Sequence, residues 1–190
     1  MARRPDLPQP PCVFPDNTVL CNFAAVSRLD VLEAVLHGRG RWTEAVADEA
    51  QRSSRVLPEL ALIPLRGWLD DPVELSGRRE VATVERIRRA VFGGSSAQPL
   101  AHLGEAQTCY LIKHRAEFRG SWWISDDREA VRYARRQQII TYETIDLAAT
   151  AVSKGVLTSD EAFALLHDTA AKGRHPRLPS SPHELLRPNP

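Results

Sequence analysis

Trp122-Trp123-Ile124-Ser125-Asp126-Asp127-Arg128-Glu129-Ala130 is the stretch whose reading decides the fold. Three apolar residues, two of them aromatic, make a short buried strand. Ser125 and two acids end that run, and a helix follows from about Asp127 to Arg136. Asp126 is a good N-cap for it, with Glu129 three residues on as the reciprocal partner. A second segment has the same grammar. Cys12-Val13-Phe14 is a short apolar run, and Asp16-Asn17-Thr18 are three good caps. Val19, Leu20, Phe23, Ala24 and Val26 then recur at helical spacing. A third run, Ile139-Ile140-Thr141, follows the helix after Asp127. Short apolar strands separated by helices predict an α/β sandwich with a parallel sheet. In such sheets the ligand crevice lies just past the carboxyl ends of the strands, where Asp16, Asp126 and Asp127 stand.

Working outward, Leu29, Leu32, Val35 and Leu36 give a second helix, ended by Gly38 and Gly40. Arg41-Trp42 reads as a brief strand, and Thr43 caps a helix running to about Arg52. Residues 57–75 are ambiguous, because Pro58, Pro64 and Pro72 limit any helix. Val81, Val84, Ile87 and Val91 mark a helix over about 79–92. A flexible loop follows, then a helix from Leu103 to Arg115. Two helices close the chain, 143–153 and 159–172, the latter opened by the capping box Thr158–Glu161. Residues 1–11 read as a flexible arm, 12–172 as one folded domain, and 173–190 as a Pro-rich flexible tail with a turn at His183–Leu186.

The chain of 190 residues is long enough for one domain with a real core. Apolar residues at 43 % and charged residues at 26 % are an ordinary globular mix. No apolar run approaches the roughly 20 residues that cross a bilayer, and no apolar segment follows Met-Ala-Arg-Arg-Pro. No membrane association and a cytoplasmic location are the expectations. Cys12, Cys21 and Cys109 are scattered without a Cys-x-x-Cys pair and read as reduced thiols. The six histidines show no metal-ligand spacing. A net charge of +1 leaves any nucleic-acid binding to local basic patches.

Four acidic positions fall where a strand or turn gives way to a helix: Asp16, Glu49, Glu105 and the Asp126–Asp127 pair. Brought together, they would form a cup of oxygen ligands suited to Mg²⁺ or Mn²⁺ and to hydrolysis of a phosphodiester. Each also has a plain structural reading. Asp16 and Asp126 suit helix caps, and Glu105 suits the helix dipole. Glu49 shares a polar helix face with Glu44 and Asp48.

In order and spacing, these segments resemble the PIN-domain ribonucleases found in toxin–antitoxin modules. The resemblance covers residues 12–172. It rests on the strand ending in Asp16-Asn17-Thr18, on Ser27-Arg28-Leu29-Asp30-Val31-Leu32, and on Glu49 in the next helix. Leu103-Gly104-Glu105-Ala106, the segment Ser125 to Ala130, and Lys154-Gly155-Val156-Leu157-Thr158 complete it. The resemblance implies a three-layer sandwich with a short central parallel sheet flanked by helices. It also implies a metal-dependent endoribonuclease, the toxin of a toxin–antitoxin pair. Asp16, Glu49, Glu105 and Asp127 would be catalytic, with Asp16, Glu105, Asp126 and Asp127 as ligands for Mg²⁺ or Mn²⁺. Asn17, Thr18 and Ser125 would orient them. RNA contacts fall to Arg78, Arg79, Arg86, Arg89, Lys113, Arg115, Arg128 and Arg132. A cognate antitoxin and a homodimer are the partners it implies. The alternative is a catalytically inactive PIN-like module that binds RNA or protein.

Overall fold

The computed structural model describes residues 10–186. Most of the expected arm at 1–11, and the last residues of the expected tail at 187–190, lie outside the described residues. Strand β1 (Val13–Pro15) leads into α1 (Asn17–Ala25), α2 (Leu29–Leu36) and α3 (Glu44–Ser53). A 3₁₀ turn at Pro58–Leu62 runs into the short α4 (Ile63–Arg66). Then come α5 (Arg78–Ala90), α6 (Leu103–His114), β2 (Trp122–Ile124), α7 (Arg128–Arg136) and β3 (Ile140–Tyr142). Helices α8 (Thr144–Ser153) and α9 (Ser159–Ala171) follow, and a 3₁₀ turn at Pro182–Leu186 comes last.

The sheet has the order β1-β2-β3, and both pairings are parallel. Val13, Phe14 and Pro15 pair with Trp122, Trp123 and Ile124, which pair in turn with Ile140, Thr141 and Tyr142. Alternation along each strand separates two faces. Val13 and Ile124 pack into one cluster with residues of α1, α2, α3, α8 and α9. Phe14 and Trp123 pack into a second cluster with Val84 of α5, residues of α6 and Ala130 and Ala134 of α7. The molecule is therefore an α/β fold with a short three-stranded parallel sheet and helices on both faces.

Arg41-Trp42 does not form the expected strand. The chain touches the far side of β1 through a single bridge, Val13 to Gly40, with Val13 N–H donating to Arg39 O and Arg41 N–H to Val13 O, both at 2.9 Å. A Cβ on Gly40 would fall 2.5 Å from Leu69 Cδ2 and 3.1 Å from the Trp68 carbonyl, so the close approach requires glycine here. Pro15 fits the same geometry. It has the parity of Val13, so its missing N–H faces the side beyond Gly40 and not β2.

The ambiguous stretch 57–75 is scaffold. Leu60, Ile63 and Leu69 are buried in the larger core cluster. Val73 bridges to Thr43, whose side chain caps α3 by accepting from Val46 N at 3.2 Å.

The expected flexible tail is corrected over residues 173–186. Leu185 is 1 % exposed and belongs to the main core cluster, and the turn carrying it packs against α8 and α9. Prolines suit such a segment because it follows the core surface without needing ladder hydrogen bonds. The reason for the miss is physical. Proline content excludes helix and central strand, but it does not exclude a packed irregular segment with an apolar anchor.

Leu185→Ala should therefore lower stability by about 2–4 kcal/mol, as expected for a buried leucine. Urea unfolding followed by circular dichroism measures this. A change under about 0.5 kcal/mol, the level of an ordinary surface substitution, would mean the segment is not anchored.

Candidate active site

The β1–β2 and β2–β3 ladders both continue one step past the strands. Asp16 N–H donates to Ile124 O at 2.9 Å, and Ser125 N–H to Tyr142 O at 3.0 Å. Parallel register thus sets Asp16 beside Ser125 at the carboxyl edge of the sheet. The two side chains meet, with Ser125 Oγ donating to Asp16 Oδ2 at 3.0 Å. Asp16 stands at the N-cap of α1, yet its side chain makes no capping bond there. Its carboxylate instead takes Ser125 and the adjacent Asn17 N–H. The plain capping role that its position suggests is not the one its side chain performs.

Three further acids reach Asp16 electrostatically. Glu105, in the first turn of α6, and Asp127, at the N-cap of α7, both raise its pKa. Glu49, on α3, has Asp16 and Glu105 as its like-charged neighbours. Burial is the largest cause in both raised groups. It pushes Asp16 up to about 7, with Glu105 adding to it and Ser125 and Asn17 opposing it. It pushes Glu49 up to about 8, with Asp16 and Glu105 adding and Arg52 opposing.

Helix packing explains the Gly-Glu-Ala triplet. The first turn of α6 lies against α3, and a Cβ on Gly104 would fall 3.0 Å from Val46 Cγ2 and 3.3 Å from Glu49 Oε1. Without that Cβ, the Gly104 N–H, which has no partner inside its own helix, donates to the Glu49 carboxylate. Glu49 thus caps α6 from outside as well as facing Asp16. Glu105 has His102 Nδ1 at 3.2 Å from its Oε1. His102 sits three residues before Glu105, the spacing of a reciprocal cap and the one local signal that marks it in the sequence.

Asp126 and Asp127 divide. Asp126 Oδ1 accepts from Thr144 N at 2.8 Å, and its Oδ2 accepts from Thr144 Oγ1 and Asn22 Nδ2, both at 2.6 Å. Both of its oxygens are spent on joining β2 to α1 and α8. Asp127 Oδ1 caps α7 by accepting from Glu129 N at 2.7 Å and Ala130 N at 3.0 Å. Its backbone N–H donates to Ser125 Oγ at 3.2 Å, so Ser125 links Asp127 to Asp16. Asp127 is therefore the member of the pair that faces the other acids.

The expected orienting residues have separate placements. Ser125 is fully buried and sits between two of the acids. Asn17 turns away and donates to Ser53 Oγ at 3.2 Å. Thr18 makes no side-chain hydrogen bond among the described residues. The basic residues expected to meet RNA are partly committed to the fold. Arg115 pairs with Glu80, Arg89 with Glu85 and Arg132 with Glu129, while Lys113 donates to Gln137 O. Arg88, which is buried, pairs with Glu85 and donates to the carbonyls of Ser95, Gln98 and Ala101. Arg78, Arg79, Arg86 and Arg128 are exposed.

The donor set suits a hard divalent cation: it is all carboxylate oxygen, and it is held at a cost in repulsion that a cation would relieve. As the side chains stand, no three of His, Cys, Asp or Glu among the described residues are grouped closely enough to hold an ion. Asp16, Glu49, Glu105 and Asp127 are neighbours, and binding would need their side chains to swing inward. Among the described residues no helix is long and apolar enough to cross a membrane. No protein-family model, no curated protein and no solved structure matches the chain.

The raised pKa values give a signed prediction. Asp16 and Glu49 bind protons more tightly folded than unfolded, so their stabilising contribution is full below about pH 4 and is lost as pH rises through 7 to 8. Asp16→Asn, neutral at every pH, should match the wild type near pH 4 and exceed it by about 2–4 kcal/mol at pH 8, measured by urea unfolding without divalent metal. Equal stabilities at pH 8 would show that Asp16 is not under this strain.

Proposed function

We propose that the chain is a PIN-like, metal-dependent endoribonuclease that hydrolyses RNA phosphodiester bonds, and that it is the toxin of a toxin–antitoxin pair. One observation carries this reading. A buried acid at the carboxyl end of a parallel strand declines its capping bond and stands among three other acids: Glu105 and Asp127 oppose its ionisation, and it opposes that of Glu49. Folds do not gather like charges in a desolvated spot for stability alone, and perturbed carboxylates of this kind mark functional sites. Asp16, Glu105 and Asp127 would hold Mg²⁺ or Mn²⁺, with Glu49 completing the set. When bound, the cation supplies Lewis acidity, which makes water nucleophilic at neutral pH and offsets charge building on the phosphate.

The protein's own contribution is positional. Ser125 fixes Asp16 against Asp127 through its hydroxyl. The Gly104 N–H holds Glu49 toward Asp16. Asp126, tied to Thr144 and Asn22, keeps the β2 end rigid beneath them. The same reading includes a cognate antitoxin and a homodimer. On the closing helices Ile145, Leu147, Leu165 and Leu166 are buried. The exposed large apolar side chains include Val56, Leu62 and Leu65.

A second reading, a non-catalytic RNA- or protein-binding module, is favoured by a different observation. Glu49 and Asp127 both have structural bonds, and Asp126 is fully used by the fold.

Incubating total cellular RNA with purified protein separates the two. The nuclease reading expects cleavage with Mn²⁺, none with EDTA, and a loss of roughly 100-fold or more in Asp16→Asn/Asp127→Asn. Mn²⁺ should also raise the melting temperature of the wild type but not of the double variant. RNA retained without cleavage, and no response to Mn²⁺, would establish the binding module instead.

A further inference from the structure

Helices α1 and α3 pack side by side, and their facing residues form a track. Asn17, Cys21 and Ala25 recur every fourth residue on α1, as Glu49 and Ser53 do on α3. One bond crosses the track and one runs along α1. Asn17 Nδ2 donates to Ser53 Oγ at 3.2 Å, and Cys21 Sγ donates to Asn17 Oδ1 at 3.7 Å. Asp16 and Glu49 stand at one end. Beyond Asn17 and Ser53 the track opens into a cavity of about 390 Å³, lined by Cys21, Ser53, Val56, Leu57, Lys172 and Arg174.

Cavity and acids share one neighbourhood. The Cys21 thiol on the cavity wall lies within electrostatic reach of Arg174, Asp16 and Glu49. Arg174 is held in place, since its Nε donates to Asn22 Oδ1 at 3.1 Å while the Asn22 amide donates to Asp126 and Thr144. That bond uses only one of the guanidinium's five donors. Lys172 is exposed at the end of α9. The cavity thus has two cations, a hydroxyl and an apolar wall beside a carboxylate centre.

We propose that this cavity is the RNA subsite next to the carboxylate centre, in which Arg174 and Lys172 take a backbone phosphate and Val56 and Leu57 cover the attached ribose or base. The proposal rests on the nuclease reading. It moves the substrate contact from the arginine-rich α5 to the segment just after α9. On α5, Arg88 is buried and Arg89 is paired with Glu85, which leaves the exposed Arg78, Arg79 and Arg86 as the competing contact. A fixed guanidinium suits a phosphate better than a free one, because less rotamer freedom is lost on binding.

Binding of a short fluorescein-labelled single-stranded RNA, followed by anisotropy in EDTA across a salt series, tests this without requiring cleavage. Lys172→Glu is the main variant, since Lys172 is exposed and the fold should tolerate its loss. Arg174→Ala is the second, with its melting temperature checked because of the Asn22 bond. Arg78→Ala/Arg86→Ala is the comparison. Lys172→Glu should weaken binding by about 10-fold and lower the salt slope by about 0.7 per lost phosphate contact, while the α5 variant changes little. Wild-type protein that binds or cleaves RNA while Lys172→Glu and a folded Arg174→Ala do the same would overturn the subsite and leave the nuclease reading standing. Binding that depends on Lys172 without any Mn²⁺-dependent cleavage would keep the subsite and remove catalysis. Neither binding nor cleavage by the wild type would remove both.

Discussion

The carboxylate of Asp16 is buried at the end of β1 with other carboxylates around it, and much of the nearby structure is arranged to tolerate that. Desolvation and like charge both favour its neutral form. Against them stand the Ser125 hydroxyl and the Asn17 N–H. Ser125 can reach Asp16 only because β1 and β2 are parallel and in this register. A slip of one residue would turn its side chain to the opposite face of the sheet. Sheet pairing and site geometry are therefore one constraint.

Around that point, the acids divide by what their oxygens touch. Asp126 is a strut, since its three hydrogen bonds hold the end of β2 to α1 and to the start of α8. Asp127 and Glu49 each serve a helix terminus while facing Asp16, so one carboxylate satisfies orphan N–H groups and contributes charge to the cluster. Glu105 is fixed by its place in the first turn of α6 and by His102. This double use explains why structural and chemical readings of these residues coexist. The helix ends that need acids are the ones the topology delivers to the carboxyl edge of the sheet.

Cations follow a similar division. Of the arginines densest in sequence, on α5, Arg88 and Arg89 bind the protein to itself while Arg78, Arg79 and Arg86 stay exposed. Arg88 anchors the loop carrying Ser95, Gln98 and Ala101, and Arg115 ties α6 to Glu80 and the Glu74 carbonyl. Arg52 reaches Glu49 from its own helix, while Lys172 and Arg174, far along the chain and in a stretch of no obvious pattern, line the cavity that Cys21 shares. Local charge density shows where cations are numerous, but not which of them lack a carboxylate partner.

Periodicity and caps in the sequence were enough for the α/β class, the three strands near 13, 123 and 140, and nearly every helix. These follow from interactions within a few residues: apolar spacing, Thr43 and Thr158 as caps, Gly38 as a stop. Asp16, Glu105 and Asp127 stand out for the same reason, because each marks an element boundary, whereas Glu49 lies inside α3. Contacts between residues distant in the chain decided the rest. Only the tertiary structure separates Asp126 from Asp127, since the difference is whether Asn22 and Thr144 lie alongside. Only it places Leu185 in the core, turns Asn17 toward Ser53, and brings Arg174 to Asn22. A sequence specifies its own local hydrogen bonds, but which side chains lose water together depends on how separate elements pack.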